Sequence, residues 1–213
     1  MKRQVFFILV ASFVFSALAA AQTDRYQRFE LAEKTKVWFD GTSTLHDYTV
    51  HAPKANGFVM LDPTLLKTQP AELSKFVTNG ELIIPVLDLQ SGKGKMDRKM
   101  YKAMDAKTFP SINFKLNEVK KAASLDTGGV WAAFDIRGNV KIAGVEKEVT
   151  LVMNTTLPED GILRAEGQIE LSMKDFGVKP PSMFLGTVKT GKRVTVFFDL
   201  WFKNAGETSV AGK

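Results

Sequence analysis

The stretch LRAEGQIELSM, residues 163–173, decides the fold. Leu163, Ala165, Gly167, Ile169, Leu171 and Met173 share one parity; Arg164, Glu166, Gln168, Glu170 and Ser172 share the other. Successive side chains of a strand point to opposite faces, so this is a strand with one apolar and one polar face. A helix would mix the two sets. Residues 130–142 repeat the pattern: Val130, Ala132, Phe134, Ile136, Val140 and Ile142 face one way, and Asp135, Arg137, Asn139 and Lys141 the other. Ile112, Phe114 and Leu116 follow the same rule, as do Val149, Leu151 and Met153, and Val194, Val196, Phe198, Leu200 and Phe202. Weaker strand patterns lie at 26–31, 36–39, 48–52, 57–61 and 80–87, which predicts about eight to ten strands.

The intervening segments carry turn chemistry. Asp126-Thr127-Gly128-Gly129, Ala143-Gly144, Pro158-Glu159-Asp160-Gly161 and Thr190-Gly191-Lys192 each separate two strand patterns. Short loops between successive strands predict antiparallel neighbours. Residues 95–106 break the rule. Met96, Met100 and Met104 recur at i, i+4 and i+8 among charged residues, which predicts an amphipathic helix ended by Phe109-Pro110. A second short helix is expected at 71–76, after Pro70. The chain is therefore all-β, a closed barrel or a sandwich. Long strands with short turns favour an antiparallel up-and-down barrel of about eight strands, which also removes exposed edges.

A barrel of that size either holds one small ligand or is filled by its own side chains. If hollow, its wall would be apolar. Phe114, Phe134, Ile136, Leu151, Met153, Ile169, Leu171, Val196 and Phe198 are the candidate wall residues, placed inward by alternation. An outer-membrane barrel would invert the faces, apolar toward lipid and polar toward the lumen. The amphipathic helix and the irregular stretch 176–189 argue against it, as does the lack of aromatic girdles.

The first 21 residues are read as a signal peptide. Lys2 and Arg3 precede an apolar run over 5–21 that ends in Ala17-Leu18-Ala19-Ala20-Ala21, so cleavage is expected near Ala21. The alternative, a retained anchor, is short of the roughly 20 apolar residues a bilayer needs. Residues 22–213 then form a single domain in the periplasm or outside the cell.

Composition narrows the chemistry. The 213 residues are 45% hydrophobic and 24% charged, ordinary values for a globular chain. The net charge of +6 drops to +4 without Lys2 and Arg3, too mild to argue for nucleic acid. Cysteine is absent, which excludes disulfides, thiolate metal sites and a cysteine nucleophile. His46 and His51 are the only histidines, so no metal or other cofactor is expected. Ser43, His46 and Asp47 are too close in sequence to converge as a nucleophilic triad. His46 is expected to make a structural hydrogen bond in a turn, and His51 to face solvent or a polar neighbour. Ser91-Gly92-Lys93-Gly94-Lys95 lacks the phosphate-loop spacing and reads as a loop entering the helix. Lys93, Lys95, Arg98, Lys99 and Lys102 form a solvated face, or one that touches anionic lipid head groups transiently. The three methionines pack on the barrel wall or line a gate for a flexible chain.

Four segments, in this order, resemble the YceI-like family of polyisoprenoid-binding periplasmic proteins: VWFDGTSTLHDYTV (37–50), MDRKMYKAMDAKTFPSINFKL (96–116), GNVKIAGVEKEVTLVM (138–153), and DFGV with FLGTVKTGKRVTVFFDL (within 175–200). The helix followed by Phe109-Pro110-Ser111-Ile112-Asn113-Phe114 is the most telling. The resemblance spans about residues 26–203. It implies an elongated, lipocalin-like barrel with a helix beside it and a hydrophobic tunnel for an isoprenoid chain, such as a quinone tail or polyprenyl lipid. It carries no catalytic residues. The expected function is thus an exported soluble binding protein that transports, stores or sequesters an apolar chain. The rivals are a non-enzymatic structural or stress-related interaction protein with a filled barrel and, third, a hydrolase using His46 and Asp47. A homodimer through a strand or helix face is compatible with either barrel. Residues 178–186, with Pro180-Pro181, fit the resemblance least and are read as a mouth loop.

Overall fold

A computed structural model describes residues 25–66, 76–127, 130–180, 182–183 and 188–206. The signal segment and residues 71–75 of the expected short helix lie outside these. Among the described residues, eleven strands form one antiparallel system: β1 (Gln27–Leu31), β2 (Lys36–Ser43), β3 (Tyr48–Ala52), β4 (Asn56–Leu61), β5 (Val77–Pro85), β6 (Ser111–Thr127), β7 (Val130–Ile142), β8 (Val145–Glu159), β9 (Ile162–Ser172), β10 (Ser182–Met183) and β11 (Val188–Asn204). One α-helix, α1 (Gly94–Ala103), lies between β5 and β6.

The topology reduces to eight staves. β1 and β2 both pair antiparallel with β11, at Phe202–Asn204 and Thr190–Asp199 respectively. They are one broken stave, bridged where the Ala32 N–H and Thr35 hydroxyl both donate to the Trp201 carbonyl. β4 pairs with β1 and β3 with β2, so β3 and β4 form the second stave. β5 to β9 follow in sequence order, and β11 closes the ring onto β1. The fold is a closed, eight-stranded, antiparallel up-and-down barrel, as the long strands and short turns predict.

Turn chemistry sets the hairpins. Ala143 and Gly144 both have positive φ, 49° and 81°, in the two-residue loop from Ile142 to Val145. This is the backbone that matches the twist of paired strands. A Cβ on Gly144 would also lie 2.5 Å from the Phe109 ring, so glycine is required there twice over.

Some boundaries differ from expectation. Thr190-Gly191-Lys192 is no turn; it lies inside β11. The register against β2 shifts between Thr190 and Val194. Gly191 serves close approach there, since a Cβ would stand 2.3 Å from Thr42 Oγ1. β2 runs on to Ser43 because Phe39 and Gly41 find partners in Val196 and Val194. The helix ends at Ala103, followed by turns in which Asp105 takes φ 48°.

Apolar side chains fill one end of the barrel. Phe29, Leu61, Leu163 and Phe202 are buried, and Phe76 stacks on Phe134 with centroids 5.8 Å apart. Asp62 is buried beside this floor. It accepts from the Thr64 N–H (3.0 Å), the Thr64 hydroxyl (2.6 Å) and Arg25, while its own N–H donates to the Phe76 carbonyl. Burial alone would raise its carboxyl, but those hydrogen bonds hold it below the usual range. The outer face carries charge. Arg164 grips Asp199 with two hydrogen bonds, at 2.7 and 3.0 Å, and Arg137 bridges Glu118 and Glu148. A lipid-facing exterior would not carry these pairs.

Candidate functional site

The barrel is hollow. Small inward residues make the space: a Cβ on Gly138 would meet the Phe114 ring at 2.4 Å, and one on Gly167 the Met153 sulfur at 2.5 Å. The large neighbour folds across the glycine instead of into the lumen. A deep chamber of about 190 Å³ results, almost wholly apolar. Phe114, Phe134, Ile136, Leu151, Met153, Ile169, Leu171, Val196 and Phe198 all line it. Among its buried lining residues Thr155 is polar, and its hydroxyl donates to the Ala132 carbonyl at 2.8 Å. Additional wall comes from β2 and β5 through Val37, Phe39, Leu82 and Ile84, whose short strands show the alternation less clearly.

A second chamber, about 320 Å³, lies at the helix end. Met96, Met100 and Met104 line it, so the methionine stripe both packs against the barrel and faces a cavity. Met100 and Met104 are buried, and the Tyr101 hydroxyl anchors α1 by donating to the Leu89 carbonyl at 2.6 Å. Phe176 and Val178 line the other side, on either hand of the left-handed Gly177 that turns the chain. Val178 thus places the start of the 178–186 stretch at the mouth; residue 181 and residues 184–187 lie outside the described part.

Five side chains from five strands border both chambers: Phe39, Ile112, Ile142, Leu171 and Val196. They form a collar between the deep chamber and the mouth. Together the two chambers fall within the ~300–1,000 Å³ range typical of ligand sites. An interior this apolar can hold an alkyl or prenyl chain by burial alone, at about 0.8 kcal/mol per CH₂.

Of the polar residues singled out from the sequence, Ser43, His46, Lys93, Lys95 and Lys99 lie at the mouth. The Ser43 hydroxyl donates to the His46 carbonyl (2.7 Å) and accepts from the His46 N–H (3.2 Å), a local turn bond. Lys93 Nζ donates to His46 Nε2 at 2.8 Å, which ties the β2–β3 loop to the segment entering α1. Ser43 therefore bonds the backbone, not the imidazole, and these residues do not assemble as a triad. His51 is exposed, and its backbone forms a bridge to Gln90. Lys95 and Lys99 line the mouth with Lys93, whereas Arg98 and Lys102 do not. Tyr48 lies there too, across Gly41, and burial pushes its phenol up to about 12.

Solved structures share this architecture at low identity. BcnA from Burkholderia cenocepacia matches with a TM-score of 0.63 at 17% identity, over 80% of this chain and 98% of that one. A polyisoprenoid binding domain from Saccharophagus degradans, implicated in plant cell wall breakdown, matches at 0.62 and 10%, over 84% and 99%. The YCEI protein of Campylobacter jejuni matches at 0.53 and 13%, over 71% and 82%. No curated protein sequence matches the chain. The family model described as YceI-like domain matches residues 30–202, nearly the whole barrel, and the chain belongs to that family.

Proposed function

We propose that the protein is an exported, non-enzymatic carrier that buries one long apolar chain, an isoprenoid quinone tail, polyprenyl lipid or similar amphiphile, for transport, storage or sequestration. The observation that carries this reading is the apolar hollow running from the helix end, past the collar, to Phe134. Water in such a space finds few polar partners, so a chain that displaces it gains the transfer free energy of every methylene it brings. The S. degradans relative, described as a polyisoprenoid binding domain, supports the class of guest. Export rests on the basic and apolar segment over residues 1–21. In the periplasm or outside the cell, the carrier would take its guest from a membrane through brief contact of the basic helix face with anionic lipid.

The test is to purify the protein from its native host, extract it and identify bound lipid by mass spectrometry. A stoichiometric long-chain lipid is expected. Preparations that are repeatedly empty and take up neither quinone nor polyprenol would defeat the proposal.

A further inference from the structure

Sulfur enters this chain as methionine alone, eight residues against no cysteine. Four of the eight, Met96, Met100, Met104 and Met173, border the mouth chamber. The Met104 N–H donates to the Met100 carbonyl at 3.0 Å, so the helical path carries on past the end of α1. Met96 to Met104 then spans ~12 Å at the rise of an α-helix. Met173 joins the same wall from the turn that follows β9. A chain bound for the deep chamber passes this stretch before it reaches the collar. The four differ in access. Met96 and Met173 are half-buried, whereas Met100 and Met104 belong to the buried core. Met153 is buried on the wall of the deep chamber, below the collar. A thioether serves as a pliable apolar lining, and it is also a two-electron reductant.

Resting on the carrier reading above, we propose that Met96, Met100, Met104 and Met173 are an oxidation site through which hydrogen peroxide makes the carrier release its chain. A sulfur lone pair attacks one peroxide oxygen, and the S–O bond forms as the O–O bond breaks. The proton of the transferred oxygen passes to the departing hydroxide, which leaves as water. Sulfur loses two electrons and peroxide gains them. The product is a sulfoxide, a polar group with a strong acceptor oxygen. On Met96 or Met173 it replaces apolar wall at the entry. On Met100 or Met104 it puts a polar atom into the packing that holds α1 against the barrel, where burial without a donor is costly. Both changes weaken the hold on a guest. A bound chain covers the same sulfurs, so the loaded protein oxidises more slowly than the empty one.

The experiment titrates farnesol into the full chain by calorimetry before peroxide, after peroxide, and after methionine sulfoxide reductase has acted. Peptide mass spectrometry locates each added oxygen. Met96 and Met173 are expected to react first, and farnesol affinity to fall about tenfold or more as the four sulfoxides form. The reductase should restore it. Farnesol bound beforehand should slow oxidation at these four, while Met60, on the outer face of β4, reacts at an unchanged rate. An M96L/M100L/M104L/M173L variant, compared with itself before and after peroxide, should show no such fall. Affinity that holds while the four carry oxygen overturns the site and leaves the carrier standing. So does an equal fall in the leucine variant, because the damage then lies elsewhere. The reductase makes the same distinction on the unaltered chain: affinity that stays low once the added mass is gone also overturns it. Equal oxidation rates in empty and farnesol-loaded protein overturn it too, since the sulfurs would then lie off the path of the chain. An untreated chain that binds no farnesol removes the carrier reading, and the oxidation site with it.

Discussion

Replacing Leu171 by tryptophan should cut the tunnel at its collar. Leu171 borders both chambers and pairs across to Val194 on β11. The larger side chain enters empty space, so the overpacking cost of a filled core, typically about 1–3 kcal/mol, should be largely absent. From Leu171 down β9 to Leu163 at the floor is eight residues, ~26 Å along the strand and roughly 20 Å along the axis of a tilted barrel. A chain barred from that depth forfeits the burial of its distal methylenes. Losing only six of them removes about 5 kcal/mol, more than a thousandfold in affinity. The assay is a homologous series of alkyl alcohols titrated into both proteins. In the unaltered chain, affinity should rise with each added methylene until the deep chamber is full. In Leu171→Trp the rise should stop after the first few carbons, with short members binding equally to both. If the variant, folded and equally stable, kept the full dependence on chain length, the collar and the deep chamber would not be the path of the chain.

Three further outcomes follow from the same geometry. Phe134→Ala removes a buried ring stacked on Phe76 and should cost about 3–5 kcal/mol in denaturant unfolding, toward the lower end because its other side already faces a cavity. Gly144→Ala meets both a positive φ and the Phe109 ring, and should destabilise by about 1–3 kcal/mol, read as an earlier thermal midpoint with the barrel fold retained. Asp62 has a lowered carboxyl in the fold, so its contribution is complete above its unfolded pKa of about 4 and fades as pH falls through the lower folded value. Asp62→Asn should therefore lower the thermal midpoint by on the order of a few degrees at pH 7, with the gap from the unaltered chain closing in acid.

Parity along the long strands was legible because each buries one face for ten residues or more. That is why the nine wall residues, from Phe114 to Phe198, lie in one cavity. The broken first stave was not legible. Residues 32–35 read as a gap, and what joins β1 to β2 is the carbonyl of Trp201, 166 positions from Thr35. Gly191 misled for a related reason. Glycine marks turns and close approaches alike, and only the position of Thr42 on the neighbouring strand separates the two. The sequence pointed to a structural hydrogen bond of His46 in its turn but not to Ser43 as the partner, and the contact with Lys93 depends on how the loop before α1 folds over the mouth. The collar, likewise, exists only once five strands close into a ring.

The most direct measurement of the central claim is a diffraction structure of the protein crystallised with a long polyprenol. Continuous density should run from the Met96–Met104 chamber, between Phe39 and Leu171, to the ring of Phe134. Lipid density confined to the outer surface, with the lumen closed by side chains or filled by ordered water, would contradict it.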